Sequence, residues 1–347
     1  MTLSAPDVIL VTGGGGFLGG AIIDRLLARG LRVRSFARGD YPALEARGVE
    51  TVRGDLADRE AVRAVAAGCA GVFHVAAKAG VWGAYDDFYR ANTLGTENVI
   101  DACRLHGIPR LVYTSTPSVV HAGGDLEGID ESAPYPQHYE THYPKTKALA
   151  EQAVLAAHGG ELCTVALRPH LIWGPGDNHL IPRIVARARA GRLRLVGRAP
   201  GAKVDSTWID DAADAHLLAY DALAPGAACG GRAYFISQGD PWPVGDLING
   251  ILAAHGIAPC DRWVSPRAAY AIGAVMEGLW RAVGARSEPP LTRFVAKQLA
   301  TAHWYDLGAA RRDLGYAPTR TIADALAALA AAVRGDATAP ALPDRTA

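Results

Sequence analysis

The sequence predicts an α/β fold, a doubly wound parallel sheet with a smaller C-terminal lobe, and three observations predict it. Short apolar runs alternate with helix-period segments through the first half of the chain. A glycine-rich turn stands between the first run and the first helix. Past residue 168 the alternation gives way to a loop-rich passage with scattered helices. Regular strand–helix alternation places parallel strands side by side with helices on both faces.

Residues 8–11 form an apolar run too short for a helix and suited to a buried strand. The turn Thr12-Gly13-Gly14-Gly15-Gly16-Phe17-Leu18-Gly19 follows, then a helix with Leu18, Ile22 and Leu26 on one face. Further strands are expected at 33–36, 49–52, 72–75, 111–115 and 163–167. Helices are expected at about 58–67, at 92–106, and on the segment that carries Tyr143 and Lys147 to about residue 157. Pro169, Pro175 and Pro182, with Gly174 and Gly176, mark the break. Beyond it helices are expected near 181–190, 210–223, 244–255, 268–283 and 322–333, and strand-like pieces at 194–196, 206–209 and 234–236. The expected organisation is therefore a nucleotide-binding domain over 1–168, a mainly substrate-binding lobe over 169–334, and a disordered tail over 335–347. Segments near 205–237 are expected to return to the first domain.

The 347 residues can bury a large core, and half of them are hydrophobic, which excludes extensive disorder. Lys plus Arg and Asp plus Glu number 35 each, so no long-range field marks the chain for nucleic acid. Cys69, Cys103, Cys163, Cys229 and Cys260 are scattered without C-x-x-C spacing. They read as thiols of a reducing compartment, neither a disulfide framework nor a metal site. No early stretch reads as a secretory signal. The longest apolar helical stretch, 268–283, is interrupted by Glu277 and Arg281, whereas about 20 apolar residues are needed to cross a bilayer. A cytoplasmic location is expected. Residues 268–279 of that stretch, with Trp280 beyond, have two readings, a core helix or the lining of a channel for alkyl chains.

Two features carry chemistry. Gly13, Gly16 and Gly19 recur every third residue between strand and helix. Such a turn lets the backbone approach a pyrophosphate, and the helix N-terminus, here at Phe17 and Leu18, offers it free N–H groups. The end of the second strand should read the ribose. Ala37-Arg38 stands there with no carboxylate before Asp40, and a guanidinium there can pair with a 2′-phosphate, so NADP(H) is the expected cofactor. The second feature is Tyr143 with Lys147. Residues four apart share a helix face, and a nearby cation favours a phenolate over the ordinary phenol, whose pKa is about 10. A third group should bind the substrate oxygen. Thr114, Ser115 and Thr116 end the fifth strand, where open α/β sheets place ligands, and periodicity does not choose among them.

Together with Asp55-Leu56, Asn92-Thr93-Leu94-Gly95-Thr96-Glu97-Asn98-Val99, Tyr113-Thr114-Ser115-Thr116 and Tyr143-Pro144-Lys145-Thr146-Lys147, the glycine turn resembles that of the extended short-chain dehydrogenases/reductases, a Rossmann-fold superfamily. Residues 167–177 and 205–211 resemble its 3β-hydroxysteroid dehydrogenase branch. The stretches 116–120 and 130–136 are similar to those of bacterial reductases of 2-alkyl-3-oxoalkanoates in olefin biosynthesis. The resemblance implies Tyr143 as catalytic acid/base, Lys147 on the nicotinamide ribose, and Thr116 in place of the family's serine or threonine. It implies Asp55 and Leu56 at the adenine, Ala76 and Ala77 at the ribose–phosphate region, and Pro169 on the nicotinamide side. It implies reduction of a long-chain β-keto acid, and partner enzymes of the pathway, with homo-oligomerisation equally compatible. Other enzyme readings are a hydroxysteroid dehydrogenase/isomerase and a nucleotide-sugar epimerase or dehydratase. The sugar reading rests on Asn178 and the arginines between 183 and 198. A non-enzymatic nucleotide sensor would have no need for the Tyr143–Lys147 pair.

Overall fold

The computed structural model describes residues 7–335 except residue 286. Seven strands form one sheet: β1 (Val8–Thr12), β2 (Arg32–Ala37), β3 (Glu50–Arg53), β4 (Cys69–His74), β5 (Arg110–Thr114), β6 (Cys163–Pro169) and β7 (Arg232–Ile236). All are parallel, in the order β7-β6-β5-β4-β1-β2-β3. The chain winds outward from β1 to β3, then crosses back to lay β4 on the other side of β1. Between β1 and β4 the strand order therefore reverses, and a crevice opens at their C-terminal ends.

The first helix, Phe17–Ala28, buries Leu18, Ile22 and Leu26, the face its periodicity predicts. It packs with the helix Ile209–Ala222 on one side of the sheet. The helices Arg59–Ala66 and Gly95–Leu105 pack together and share the second core cluster, which includes Val62, Val65, Val99 and Cys103, on the other side. Asp58 caps Arg59–Ala66 by accepting the Glu60 and Ala61 N–H groups, so the helix starts one residue after the predicted position. The predicted helix from residue 92 begins earlier: Tyr85–Phe88 runs through a π-helical turn, Tyr89–Leu94, into Gly95–Leu105.

Beyond β6 the chain keeps one foot in the sheet, since β7 pairs with β6 along five residues. A second, four-stranded sheet joins Trp242–Pro243, Lys203–Val204, His303–Tyr305 and Leu126–Ile129. None of these was foreseen, nor were the helices Arg293–Ala300 and Gly308–Leu314. Strands of two to four residues are too short to show alternation. The helix Pro266–Ala282 turns Ala269, Gly273 and Glu277 inward and leaves Ile272, Val275 and Leu279 exposed, the reverse of a core helix. The last helix, Ile322–Arg334, ends on Gly335, and the rest of the predicted tail lies outside the described residues. All five cysteines are buried free thiols.

One ion pair ties the late strands to the helix His142–Ala156. Arg168 at the end of β6 donates Nε and Nη2 to the two carboxylate oxygens of Glu151, at 3.0 and 2.6 Å, and Tyr135 donates its hydroxyl at 2.6 Å. Both charged side chains are almost wholly buried. Removing one partner of such a pair strands the other charge without water. Glu151→Ala is therefore expected to lower stability by about 3–5 kcal/mol in chemical denaturation, far more than an exposed pair would cost.

Candidate active site

The crevice between β1 and β4 holds a cavity of about 560 Å³. Its floor is the glycine turn. Gly13 has φ +73°, a left-handed conformation that favours glycine, and a Cβ there would lie 2.9 Å from the Ala76 Cα. A Cβ on Gly19 would run into the Gly13 carbonyl oxygen. The spacing G-x-x-G-x-x-G thus serves two close approaches, turn against β4 and helix against turn. Gly16 stands at the N-cap of Phe17–Ala28 with no side chain to cap it, and the first turn holds no acidic residue. The opening N–H groups are left for an anion.

Phe17, Leu18, Ala76 and Ala77 line the same cavity, as do Asp55 and Leu56 from the end of β3. Arg38 lines it too, fully outside the sheet, with no hydrogen bond or ion pair to any described residue, whereas Asp40 faces Arg53 at 3.3 Å. Ser115 lines the cavity with a buried hydroxyl that has no partner among the described residues. An uncapped helix, a cradle that side chains would fill, and an orphan hydroxyl fit a bound dinucleotide.

At the inner end stand Tyr143 and Lys147, one turn apart on His142–Ala156. The Lys147 ammonium is 1% exposed, donates to the Thr114 carbonyl oxygen at 2.7 Å and sits 4.1 Å from the centre of the Tyr113 ring. Burial pulls its pKa down to about 7, and the Glu151 carboxylate acts against that fall. Burial pushes the Tyr143 phenol up to about 12, and a hydrogen bond with Thr116 acts the other way. The expectation that Lys147 draws the phenol downward is not met in this structure. The ammonium is turned to the Thr114 carbonyl, so the phenol keeps its proton at neutral pH.

The three hydroxyl candidates separate. Thr114 faces His216, with Oγ1 and Nε2 2.8 Å apart, and also lines the cavity beside Ser115. Thr116, extended before Pro117, caps a 3₁₀ turn through the Ser118 N–H and lies beside the Tyr143 phenol. Neither Thr116 nor Pro169 lines the dinucleotide cavity, in contrast to Ser115.

Sequence reasoning counted Asn92 in the family motif but gave it no role. Its side chain accepts from the Lys78 N–H at 2.7 Å and donates to the Lys78 carbonyl and to Thr146 Oγ1, both at 3.1 Å. It thereby joins the loop after β4 to the helix of Tyr143 and Lys147. Its place in the π-helical turn leaves no periodicity signal. Also passed over was a buried chain beneath the cradle. Thr12 Oγ1 accepts the Val75 and Ala76 N–H groups and lies 2.7 Å from His74 Nδ1, whose Nε2 is 2.9 Å from Thr96 Oγ1. Burial lowers His74 to about 3, so it is neutral. Asp177 and His179 from the loop after β6 close the outer rim, and Asp177 accepts the N–H groups that open the next helix.

This fold and site define a nucleotide-dependent oxidoreductase framework, and comparison with known proteins gives the family. The chain belongs to the 3-beta hydroxysteroid dehydrogenase/isomerase family, whose profile matches residues 10–267. It is 56% identical to the 2-alkyl-3-oxoalkanoate reductase of Stenotrophomonas maltophilia, over 93% of this chain and 98% of that one. It is 48% identical to the protein of the same name from Shewanella oneidensis, over 93% of this chain and 85% of that one. Among solved structures, MoeE5 in complex with UDP-glucose and NAD superposes with a TM-score of 0.72 at 25% identity, over 95% of this chain and 99% of that chain.

The close approach at Gly19 gives a direct test. Gly19→Ala must push the helix away from the turn, so affinity for the nicotinamide dinucleotide in a fluorescence titration is expected to fall at least about tenfold. Unchanged affinity would separate the turn from the nucleotide.

Proposed function

We propose that the protein is an NADP(H)-dependent reductase that converts a 2-alkyl-3-oxoalkanoate to the 2-alkyl-3-hydroxyalkanoate. The observation that carries this reading is the meeting of Tyr143 and the buried Lys147 ammonium in the cavity of the glycine turn, with Thr116 beside the phenol just outside it. The 56% and 48% identities to reductases of that name support the substrate class. Arg38, free at the end of β2, supports the phosphorylated cofactor. The segments after Pro169 would form most of the substrate-binding lobe.

When bound, the nicotinamide supplies the hydride. Glycines 13, 16 and 19 would seat the pyrophosphate, Arg38 the 2′-phosphate, Asp55 and Leu56 the adenine, Ala76 and Ala77 the ribose–phosphate region, and Pro169 the nicotinamide side. Thr116 and Tyr143 would donate hydrogen bonds to the ketone oxygen, polarising the carbonyl. Tyr143 holds its proton until charge develops on that oxygen, then passes it to the alkoxide. Lys147 stabilises the phenolate left behind. A phenol held well above neutral pH suits this direction, because the donor is fully protonated in the resting enzyme.

Tyr143→Phe keeps the ring and loses the proton. Turnover is expected to drop about a hundredfold to ten-thousandfold while NADPH still binds, and undiminished turnover would refute the assignment. In a panel of long-chain β-keto acids, steroids and UDP-sugars, net NADPH oxidation is expected with the β-keto acids. A retained, self-regenerating NAD with UDP-sugars would favour an epimerase instead. Arg38→Ala is expected to raise KM for NADPH about tenfold or more and to leave KM for NADH little changed.

The pH profile carries its own sign. Lys147 is charged below about 7 and loses its proton above it, whereas Tyr143 keeps its proton to about 12. The kcat/KM for reduction is therefore expected to be flat on the acid side and to fall as pH rises through about 7. Glu151→Gln removes the carboxylate that favours the ammonium, and should move the falling limb to lower pH.

A further inference from the structure

The turn that follows β5 carries a second hydroxyl beside that of Thr116. Thr116 is extended, at φ −159° and ψ 145°, and Pro117 after it has no N–H to offer. The first N–H available is that of Ser118, which donates to Thr116 Oγ1 at 3.3 Å. The Ser118 hydroxyl turns back to the same atom, with the two oxygens 3.1 Å apart, and among the described residues it has no other hydrogen-bond partner. The turn itself is held firmly. The Val119 N–H donates to the Thr116 carbonyl oxygen at 3.2 Å. Tyr139, four residues before Tyr143, donates its hydroxyl to the Val119 carbonyl oxygen at 2.9 Å. Val119 and Val120 are buried beneath the turn. Like Thr116, Ser118 does not line the dinucleotide cavity.

We propose that Ser118 is a positioning residue of the oxygen-binding site: its hydroxyl donates to Thr116 and thereby commits the Thr116 proton to the substrate ketone. This rests on the reading of Thr116 as a group that binds the ketone oxygen. A hydroxyl has one proton to give and two lone pairs that receive. At Thr116 the Ser118 N–H and O–H fill both lone pairs, so its own proton is left for the remaining direction. In the reverse arrangement the Thr116 proton goes to Ser118, and a lone pair faces a ketone oxygen that itself only accepts. That arrangement is repulsive, and more so as negative charge grows on the oxygen during hydride transfer. With Ser118 as donor the effect has the opposite sign. A donor behind Thr116 polarises its O–H bond, so the chain from Ser118 through Thr116 to the ketone strengthens as charge develops. The Tyr143 phenol agrees with this direction. Its hydrogen bond with Thr116 favours the ionised form, which requires Thr116 to be the donor. Pro117 contributes by having no N–H, so both donors to Thr116 come from one residue.

The test is a double-mutant cycle on the full-length enzyme with NADPH and a long-chain 2-alkyl-3-oxoalkanoate. Ser118→Ala keeps the N–H that holds the turn and removes the O–H that directs the proton. Its kcat is expected to fall about three- to tenfold, the worth of one hydrogen bond, with Tm and dinucleotide affinity unchanged. Ser118→Thr restores a hydroxyl and should recover most of the loss. Thr116→Val should lose more than Ser118→Ala does. Adding Ser118→Ala to Thr116→Val should cost nothing further, because no proton is left to direct. A merely structural serine would lower Tm, and its replacement would cost as much in the Thr116→Val background as in the wild type. Loss with Thr116→Val but full turnover with Ser118→Ala would overturn the proposal alone, as would a full additional loss in the double variant. Full turnover with Thr116→Val, or a wild type without activity on the β-keto acid, would overturn the underlying reading and the proposal with it.

Discussion

An ammonium group with almost no water around it must be held by whatever the fold places there, and at Lys147 three elements do so. The end of β5 supplies the Thr114 carbonyl oxygen and the face of Tyr113. The helix His142–Ala156 supplies Glu151, one turn further along the same face. That carboxylate is in turn fixed by Arg168 at the end of β6, beside Pro169. One buried cation thus makes the ends of two strands and one helix mutually dependent. Burial works against charge on Lys147, and the Glu151 carboxylate limits that effect. The balance leaves a group poised near neutrality, where a modest change in surroundings alters its charge.

A second constraint is steric. The first turn and the fourth strand meet where Gly13 faces Ala76, at the point where the sheet order reverses. Thr12 stitches the two together through the N–H groups of Val75 and Ala76. Asn92 continues the connection from the loop after β4 to the helix of the tyrosine and lysine. The nucleotide cradle and the proton-handling pair are therefore parts of one framework.

Much of this was legible in the residues, and the limits have physical causes. Strands β1, β4, β5 and β6 announce themselves as short apolar runs, because parallel strands covered on both faces have little polar side. The 234–236 piece and its return to the sheet were also visible, although β7 begins at Arg232. The strands Leu126–Ile129 and His303–Tyr305 were not, since their pairing depends on partners far away in the chain. Within the site, spacing placed Tyr143 and Lys147 on one face but did not say that the ammonium would turn to the Thr114 carbonyl. Alternation separated Thr114 from Ser115, and only the fold shows Ser115 at the cavity and Thr116 at the phenol. The helix Pro266–Ala282 misled for a specific reason. Hydrophobicity alone says that a face will leave water, and in this protein the buried face is the one that carries Glu277, held by Arg293.

The proposed reaction is hydride transfer to a β-keto carbon with the proton supplied at Tyr143. The most direct measurement follows deuterium from the transferable position of labelled NADPH into a 2-alkyl-3-oxoalkanoate, by mass spectrometry of the product. Deuterium is expected on the hydroxyl-bearing carbon with the wild type and almost none with Tyr143→Phe. Product without deuterium at that carbon, or equal transfer with the tyrosine replaced, would contradict it.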